Sequence, residues 1–296
     1  MTLLSAMMNI ASPTLPASKT DISATQLSVK FWGVRGSVPT PAQTHQKYGG
    51  NTICVEALLG TQRVIFDGGT GIVALGHNLQ QREESIHAHV FFTHTQWDRI
   101  QGFPFFQPAF EAKNHFSIYG GTAPNGASIK HCLTDQMLKP HFSMPLQNMQ
   151  AGLAFHTLLE QDQFNIGDIS VEVAKTNEQT EAFGYRLTCQ NRTLVYATDT
   201  PVEGVNDEFL QFVEGADILL YDGTYSDLTY LCSGLKEGLK PWEMSAAIAQ
   251  KAQVKQLVLL HHSPVQNDQT LDHIQQQMHT LFPNALVAKE GMSVRC

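Results

Sequence analysis

The run Phe92-Thr93-His94-Thr95-Gln96-Trp97-Asp98-Arg99 holds the side chains with the most chemistry to offer. A loop with the spacing His-x-His-x-Asp-His brings imidazoles and a carboxylate together as ligands for two metal ions. His94 and Asp98 keep that spacing. Gln96 stands where the second His would be, and Arg99 where the last would be. Glutamine can still offer an amide oxygen to a metal. Arginine cannot, because it has five donors, no acceptor and a permanent charge.

Other polar groups stand at the ends of apolar runs. Asp199 follows Tyr196-Ala197-Thr198, and His261-His262 follows Leu259-Leu260. Loops after strands are where folds present functional groups. Neighbours on a strand point to opposite faces, so only one of His261 and His262 can face a shared cleft if the strand persists. Arg35, in Val34-Arg35-Gly36-Ser37, either meets an anionic ligand in the cleft or is a solvated loop charge. The loop Gly68-Gly69-Thr70-Gly71 is expected to face a phosphate, with Gly69 and Thr70 as ligand contacts. Trp97, Phe103, Phe105 and Phe106 read as core under the site rather than as a ligand cage.

These groups need a scaffold. The pattern predicts strands over 27–32, 52–59, 63–66, 88–92, 116–119, 153–158, 169–174, 184–188, 193–198, 217–221, 256–260 and 285–288. Helices are predicted over 71–79, 127–138, 242–252 and 271–281. This order repeats roughly in two halves, which suits two sheets packed face to face with helices outside, an αββα sandwich. Residues 27–296 read as a single domain and 1–26, nearly uncharged, as a mobile tail.

Of the 296 residues, 42% are hydrophobic and 16% charged, the balance of a globular chain. The net charge of -8 argues against nucleic-acid and anionic-membrane partners, which need a basic surface. No apolar run reaches the roughly 20 residues of a membrane span. Five dispersed cysteines without a C-x-x-C pair suggest reduced thiols and a cytoplasmic setting.

Phe31-Trp32-Gly33-Val34-Arg35-Gly36-Ser37-Val38-Pro39, Tyr48-Gly49-Gly50-Asn51-Thr52, Phe66-Asp67-Gly68-Gly69-Thr70-Gly71 and the His94 loop together resemble the metallo-β-lactamase-fold hydrolases. The similarity is to the phosphodiesterase-type branch, which includes ribonuclease Z and the phosphonate-pathway cyclic phosphodiesterase. It runs from about Val29 to Met292. It implies a four-layered αββα fold with a dinuclear Zn or Mn site at one edge of the sheets.

Carried over residue by residue, the resemblance makes His94, Asp98, the bridging Asp199 and His261 retained ligands. Gln96 and Arg99 replace two imidazoles. The third His of the family falls in Asn177-Glu178-Gln179-Thr180, where Glu178 is expected to take its place. A Gly-His-Ser element that assists catalysis corresponds to Glu243-Met244-Ser245, so that imidazole is missing too. Three outcomes are open. In the favoured one the site is metal-free: Asp98, Asp199 and Glu178 converge, Arg99 compensates them, and the protein binds a small anionic ligand or a protein partner. In the second, a single divalent ion (Mn, Fe or Zn) held by His94, Gln96, Glu178 and Asp199 supports altered phosphodiesterase chemistry, with Arg99 stabilising negative charge. In the third, a dinuclear site is rebuilt from His45, His131, His141 or His262. The oligomeric state is left open.

Overall fold

Strand β1 (Leu27–Gly33) buries Leu27, Val29, Phe31 and Gly33 and leaves the residues between them partly exposed, as a strand with one face on a core must. It belongs to the first of two sheets in a computed structural model that describes residues 27–200, 206–223 and 240–296. The expected tail over 1–26 lies outside the described residues. The first sheet has seven strands in the order β14-β1-β2-β3-β4-β5-β6. Its other members are β2 (Cys54–Leu59), β3 (Gln62–Phe66), β4 (His87–Phe91), β5 (His115–Gly120), β6 (Gly152–Thr157) and β14 (Ser293–Arg295). The second, also seven-stranded, runs β13-β12-β11-β10-β9-β8-β7. It comprises β7 (Gln163–Ile166), β8 (Ile169–Asn177), β9 (Ala182–Cys189), β10 (Arg192–Ala197), β11 (Ile218–Asp222), β12 (Gln256–Leu260) and β13 (Ala285–Val287).

Three apolar layers hold the sheets and helices together. Phe31, Phe66, Tyr185 and Tyr196 fill the space between the sheets. Ile72 and Leu75 of α1 (Gly71–Gln80) and Leu133 of α3 (Ile129–Gln136) share a layer with Val90 and Ile118 of the first sheet. Phe209 of α4 (Asp207–Val213), Ile248 of α5 (Pro241–Lys251) and Leu271 of α6 (Asp268–Leu281) share one with Leu219 and Leu257 of the second. The architecture is the αββα sandwich. Strands β11 and β12, parallel and covered on both faces, are buried almost throughout, as such strands are.

The structure departs from the sequence pattern in places. Thr52 was expected to begin a strand, but it forms an isolated bridge with Arg35 and β2 starts at Cys54. Strands β7 and β14, of four and three residues, are too short to carry a visible period. Helix α4 was missed although Asn206 caps it, its side chain accepting from the Phe209 N–H. The expected aromatic core is split: Phe103 and Phe106 are buried, while Trp97 and Phe105 are 62% and 54% exposed. Among the described residues, no helix is long and apolar enough to cross a membrane.

The parallel pairs β3–β4 and β10–β11–β12 end together. At those ends Asp67, Asp199 and His261 all take positive φ, at 58°, 60° and 62°. Such backbone costs about 1–3 kcal/mol per residue and persists where its surroundings over-determine it.

Candidate functional site

Arg99, on the one-turn helix α2 (Trp97–Ile100), is fully buried. Its Nη1 donates to Asp67 Oδ2 at 3.1 Å and to the Tyr196 hydroxyl at 3.3 Å. Its Nε lies 3.3 Å from Asp98 Oδ2. Tyr196 in turn donates to Asp67 Oδ2 at 2.7 Å. Asp67 also accepts from the Thr93 amide and hydroxyl. A guanidinium therefore sits inside a cage of two carboxylates and a phenol. Burial pushes its pKa down, but Asp98, Asp67, Tyr196 and Asp199 outweigh that and raise it.

His261 lies between two carboxylates, with Nε2 3.5 Å from Asp98 Oδ2 and Nδ1 3.1 Å from Asp222 Oδ1. Gly36 makes room for the ring, since a Cβ there would meet His261 Cδ2 at 2.5 Å. Burial penalises the Asp98 carboxylate, yet Arg99 and His261 hold its pKa well below the usual range. Burial and the Arg99 charge disfavour the imidazolium, but the hydrogen bonds to Asp222 and Asp98 prevail and lift His261 to about 9. His261 binds its proton more tightly when folded, so its contribution is complete below about pH 6.5 and disappears as pH rises through 9. Urea unfolding should show stability falling by a few kcal/mol between pH 6.5 and 9. A flat profile across that window would contradict the Asp98–His261–Asp222 arrangement.

His94 Nδ1 lies 3.0 Å from the Thr93 hydroxyl, and Nε2 lies 3.3 Å from the Gln96 amide. The β8–β9 hairpin covers this loop: Phe183 N–H donates to the Thr93 carbonyl and Tyr185 hydroxyl to that of Phe92. From the same hairpin, Thr180 donates to Asp199 Oδ2 at 2.6 Å and Asn177 to the Asp199 carbonyl at 3.0 Å.

Several expected roles change. The Glu178 side chain is 80% exposed and pairs with Lys175, so it joins neither Asp98 nor Asp199. Thr180 meets Asp199 instead, and Asp67 takes the place expected of a third carboxylate on Arg99. Arg35 is neither a cleft residue nor a solvated charge. Fully buried, it clamps loops by donating to the carbonyls of Gly49, Ser263 and Gln266. The Gly69 amide donates to Ile53, Thr70 N–H to Thr52 Oγ1, and Gly68 N–H to the Arg99 carbonyl. The Thr70 hydroxyl donates to Asn51 Oδ1. That loop has spent the donors a phosphate would need. His262 is buried and neutral, its pKa pushed down to about 3 by burial, and it bonds the Ala288 carbonyl. His45 bonds Thr44 and the Pro264 carbonyl, and His131 pairs with Asp135 on a surface helix. Asp67, Tyr196, Asp222 and Thr180 were not anticipated. Asp67 stood in a quoted motif, but its role depends on Arg99 lying opposite.

Among the positions where the resemblance places imidazoles that this sequence lacks, Arg99 is buried and ion-paired, Glu178 points to solvent, and Met244 packs against the layer outside the second sheet. Among the described residues, no three His, Cys, Asp or Glu side chains form a metal-holding group.

A family model described as "Beta-lactamase superfamily domain" matches residues 62–262, more than half of the chain. The chain belongs to the beta-lactamase superfamily. This superfamily member is 23% identical to a ribonuclease Z from Synechococcus sp. (strain CC9311), over 90% of its own length and 98% of that protein's. It is 31% identical to a ribonuclease Z from Picosynechococcus sp., in a stretch covering 34% of this chain and 32% of that one. The matched stretch is thus about a third of that relative's length. The metallo-beta-lactamase fold protein YhfI from Bacillus subtilis superposes with a TM-score of 0.65 at 18% identity, covering 92% of this chain and 100% of YhfI. A diphosphatase from the PhnP family superposes at 0.64 and 16% identity, over 90% and 97%. Zn(2+)-bound PqqB from Methylobacterium extorquens superposes at 0.65 and 16% identity, over 90% and 99%.

Proposed function

We propose that this superfamily member is a ligand-binding or regulatory module that does not hydrolyse phosphodiesters with a pair of metals. The observation that carries this reading is the buried Arg99 guanidinium, ion-paired to Asp67 and Asp98. Its charge answers the carboxylates that a metal pair would otherwise neutralise, and it brings no lone pair with which to hold one. The strand-end geometry is kept while the ligand chemistry is replaced. A net charge of -8 makes an RNA substrate, the class implied by the name ribonuclease Z, a poor electrostatic match.

A second reading is a hydrolase with one divalent metal, Mn, Fe or Zn. Four carboxylates, Asp67, Asp98, Asp199 and Asp222, surround the site against two cationic groups, Arg99 and His261. One divalent ion would balance that excess, and structural neighbours include a Zn(2+)-bound protein and a diphosphatase. A turnover assay separates the readings. With Mn added, the protein should cleave a bis-aryl phosphodiester no faster than its Asp199→Ala variant. Rapid turnover abolished by that substitution would overturn the first reading in favour of the second.

A further inference from the structure

We propose that His87 and His115 form a surface site for one exchangeable transition-metal ion of the copper, nickel and zinc class, with Cu2+ bound most tightly. The pair lies at the end of β4 away from the His94 loop, and the proposal is independent of how that loop is read.

The register of the first sheet creates the pair. His87 opens β4, His115 opens β5, and the two are direct partners in the parallel ladder. Paired residues on neighbouring strands share a face and stand one strand spacing apart, about 4.8 Å. The two imidazole rings follow that spacing: their planes are within 3° of parallel and their centroids 4.9 Å apart. Both residues are exposed.

The strand starts beneath them are pinned by Asn114, which is fully buried. Its Oδ1 accepts from the Ile86 N–H at 2.9 Å, and its Nδ2 donates to the Pro108 carbonyl at 2.9 Å. Its own carbonyl accepts from the Gly152 N–H at 2.9 Å, and the His115 N–H donates to the Ile86 carbonyl at 2.8 Å. One buried side chain and its neighbours therefore lock β4, β5 and β6 at the row that carries both histidines. In that row β6 contributes Gly152, opposite His115. A Cβ there would meet His115 Cδ2 at 2.7 Å, so the missing side chain gives the ring its place. A site on rigid strands holds its geometry better than one on loops.

The ring nitrogens are uncommitted. Among the described residues, neither imidazole makes a hydrogen bond or an ion pair with the protein. Other histidines on this face differ. His89 Nδ1 lies 3.3 Å from the Tyr119 hydroxyl, and His156 stacks on the Tyr119 ring at 4.6 Å. His87 and His115 meet only each other, through ring faces that leave the nitrogens at the open edges.

Two imidazoles share an ion when their ligating nitrogens are about 3.0–3.4 Å apart, the span of two bonds of roughly 2.0–2.1 Å at about 90–110°. Closing from the strand spacing takes about 1 Å at each ring edge, a rotation that stays within a rotamer well. Two neutral nitrogens completed by water make the mixed nitrogen and oxygen set that suits Cu2+ and Ni2+, and Cu2+ heads the affinity order for such ligands. Mg2+ and Ca2+ prefer all-oxygen shells and are not accommodated. With only two protein ligands the ion exchanges readily and is lost on dialysis.

Titration of the full chain with CuCl2 in a non-chelating buffer, followed by electron paramagnetic resonance, tests this. The native chain should show a bound Cu2+ with two nitrogen ligands. His87→Gln and His115→Gln, both at exposed positions, should each weaken that binding at least tenfold and leave the melting temperature in EDTA unchanged. The double variant should lose little more than either single one, because one imidazole alone does not chelate. ZnCl2 should bind more weakly than CuCl2. A pair that is only stacked, or Cu2+ held elsewhere such as the His94 loop, predicts otherwise. No Cu2+ binding, a one-nitrogen signal, binding that survives in both variants, or weakening by only one of the two substitutions would overturn the proposal.

Discussion

Arg99→Ala should unfold well below the melting temperature of the native protein. Buried salt bridges are weak evidence for stability, because desolvation offsets much of their attraction. Removing one partner is another matter. Asp67 and Asp98 are both buried, and without the guanidinium two carboxylates would face each other across a cavity with only His261 to compensate. Orphaning a buried charge costs about 3–5 kcal/mol, which for a chain of this size lowers the melting temperature by roughly 5–15 °C. Because the cost lies in the orphaned carboxylates, Arg99→Ala combined with Asp67→Asn should recover part of the loss, a coupling that additive sites would not show. An Arg99→Ala melting temperature equal to that of the native protein would mean the guanidinium does not compensate the carboxylates.

Gln96→His combined with Arg99→His should raise metal affinity above that of the native chain. The two substitutions rebuild His-x-His-x-Asp-His in the loop and remove the cation that occupies a ligand position. Asp199 and His261 are already in place, so two new imidazoles complete most of a ligand set. Single ligand-shell changes shift metal affinity by roughly ten- to a hundredfold, and the double variant should gain at least tenfold for Zn or Mn by titration calorimetry. No gain would locate the obstacle elsewhere, with Thr180 beside Asp199 the first place to look.

The fold was legible because its signals are local. The apolar runs ending at Leu260 and Ala197 and the motifs around Gly33 and Gly68 mark strands and their turns directly. The retained residues His94, Asp98, Asp199 and His261 could be found from position at strand ends. What could not be read were partners set by tertiary packing. Glu178 and Thr180 are two residues apart on a hairpin, and only the twist of that hairpin decides that Thr180 meets Asp199. Arg35 looked free because its three carbonyl partners come from residue 49 and residues 263 and 266. Gly69 and Thr70 resembled a phosphate loop because the sequence does not reveal that Thr52 and Ile53 run alongside and take their amides. Asp67 became central only once Arg99, on the helix that follows β4, and Tyr196, on β10 of the second sheet, closed on it.

Elemental analysis of the purified protein, by mass spectrometry after exhaustive dialysis without chelator, tests the central claim most directly. With Arg99 caged by Asp67 and Asp98, the native chain should carry less than one tightly bound metal ion per molecule. Two Zn or Mn ions per chain would contradict the proposal that the Arg99 guanidinium stands in for the metal pair.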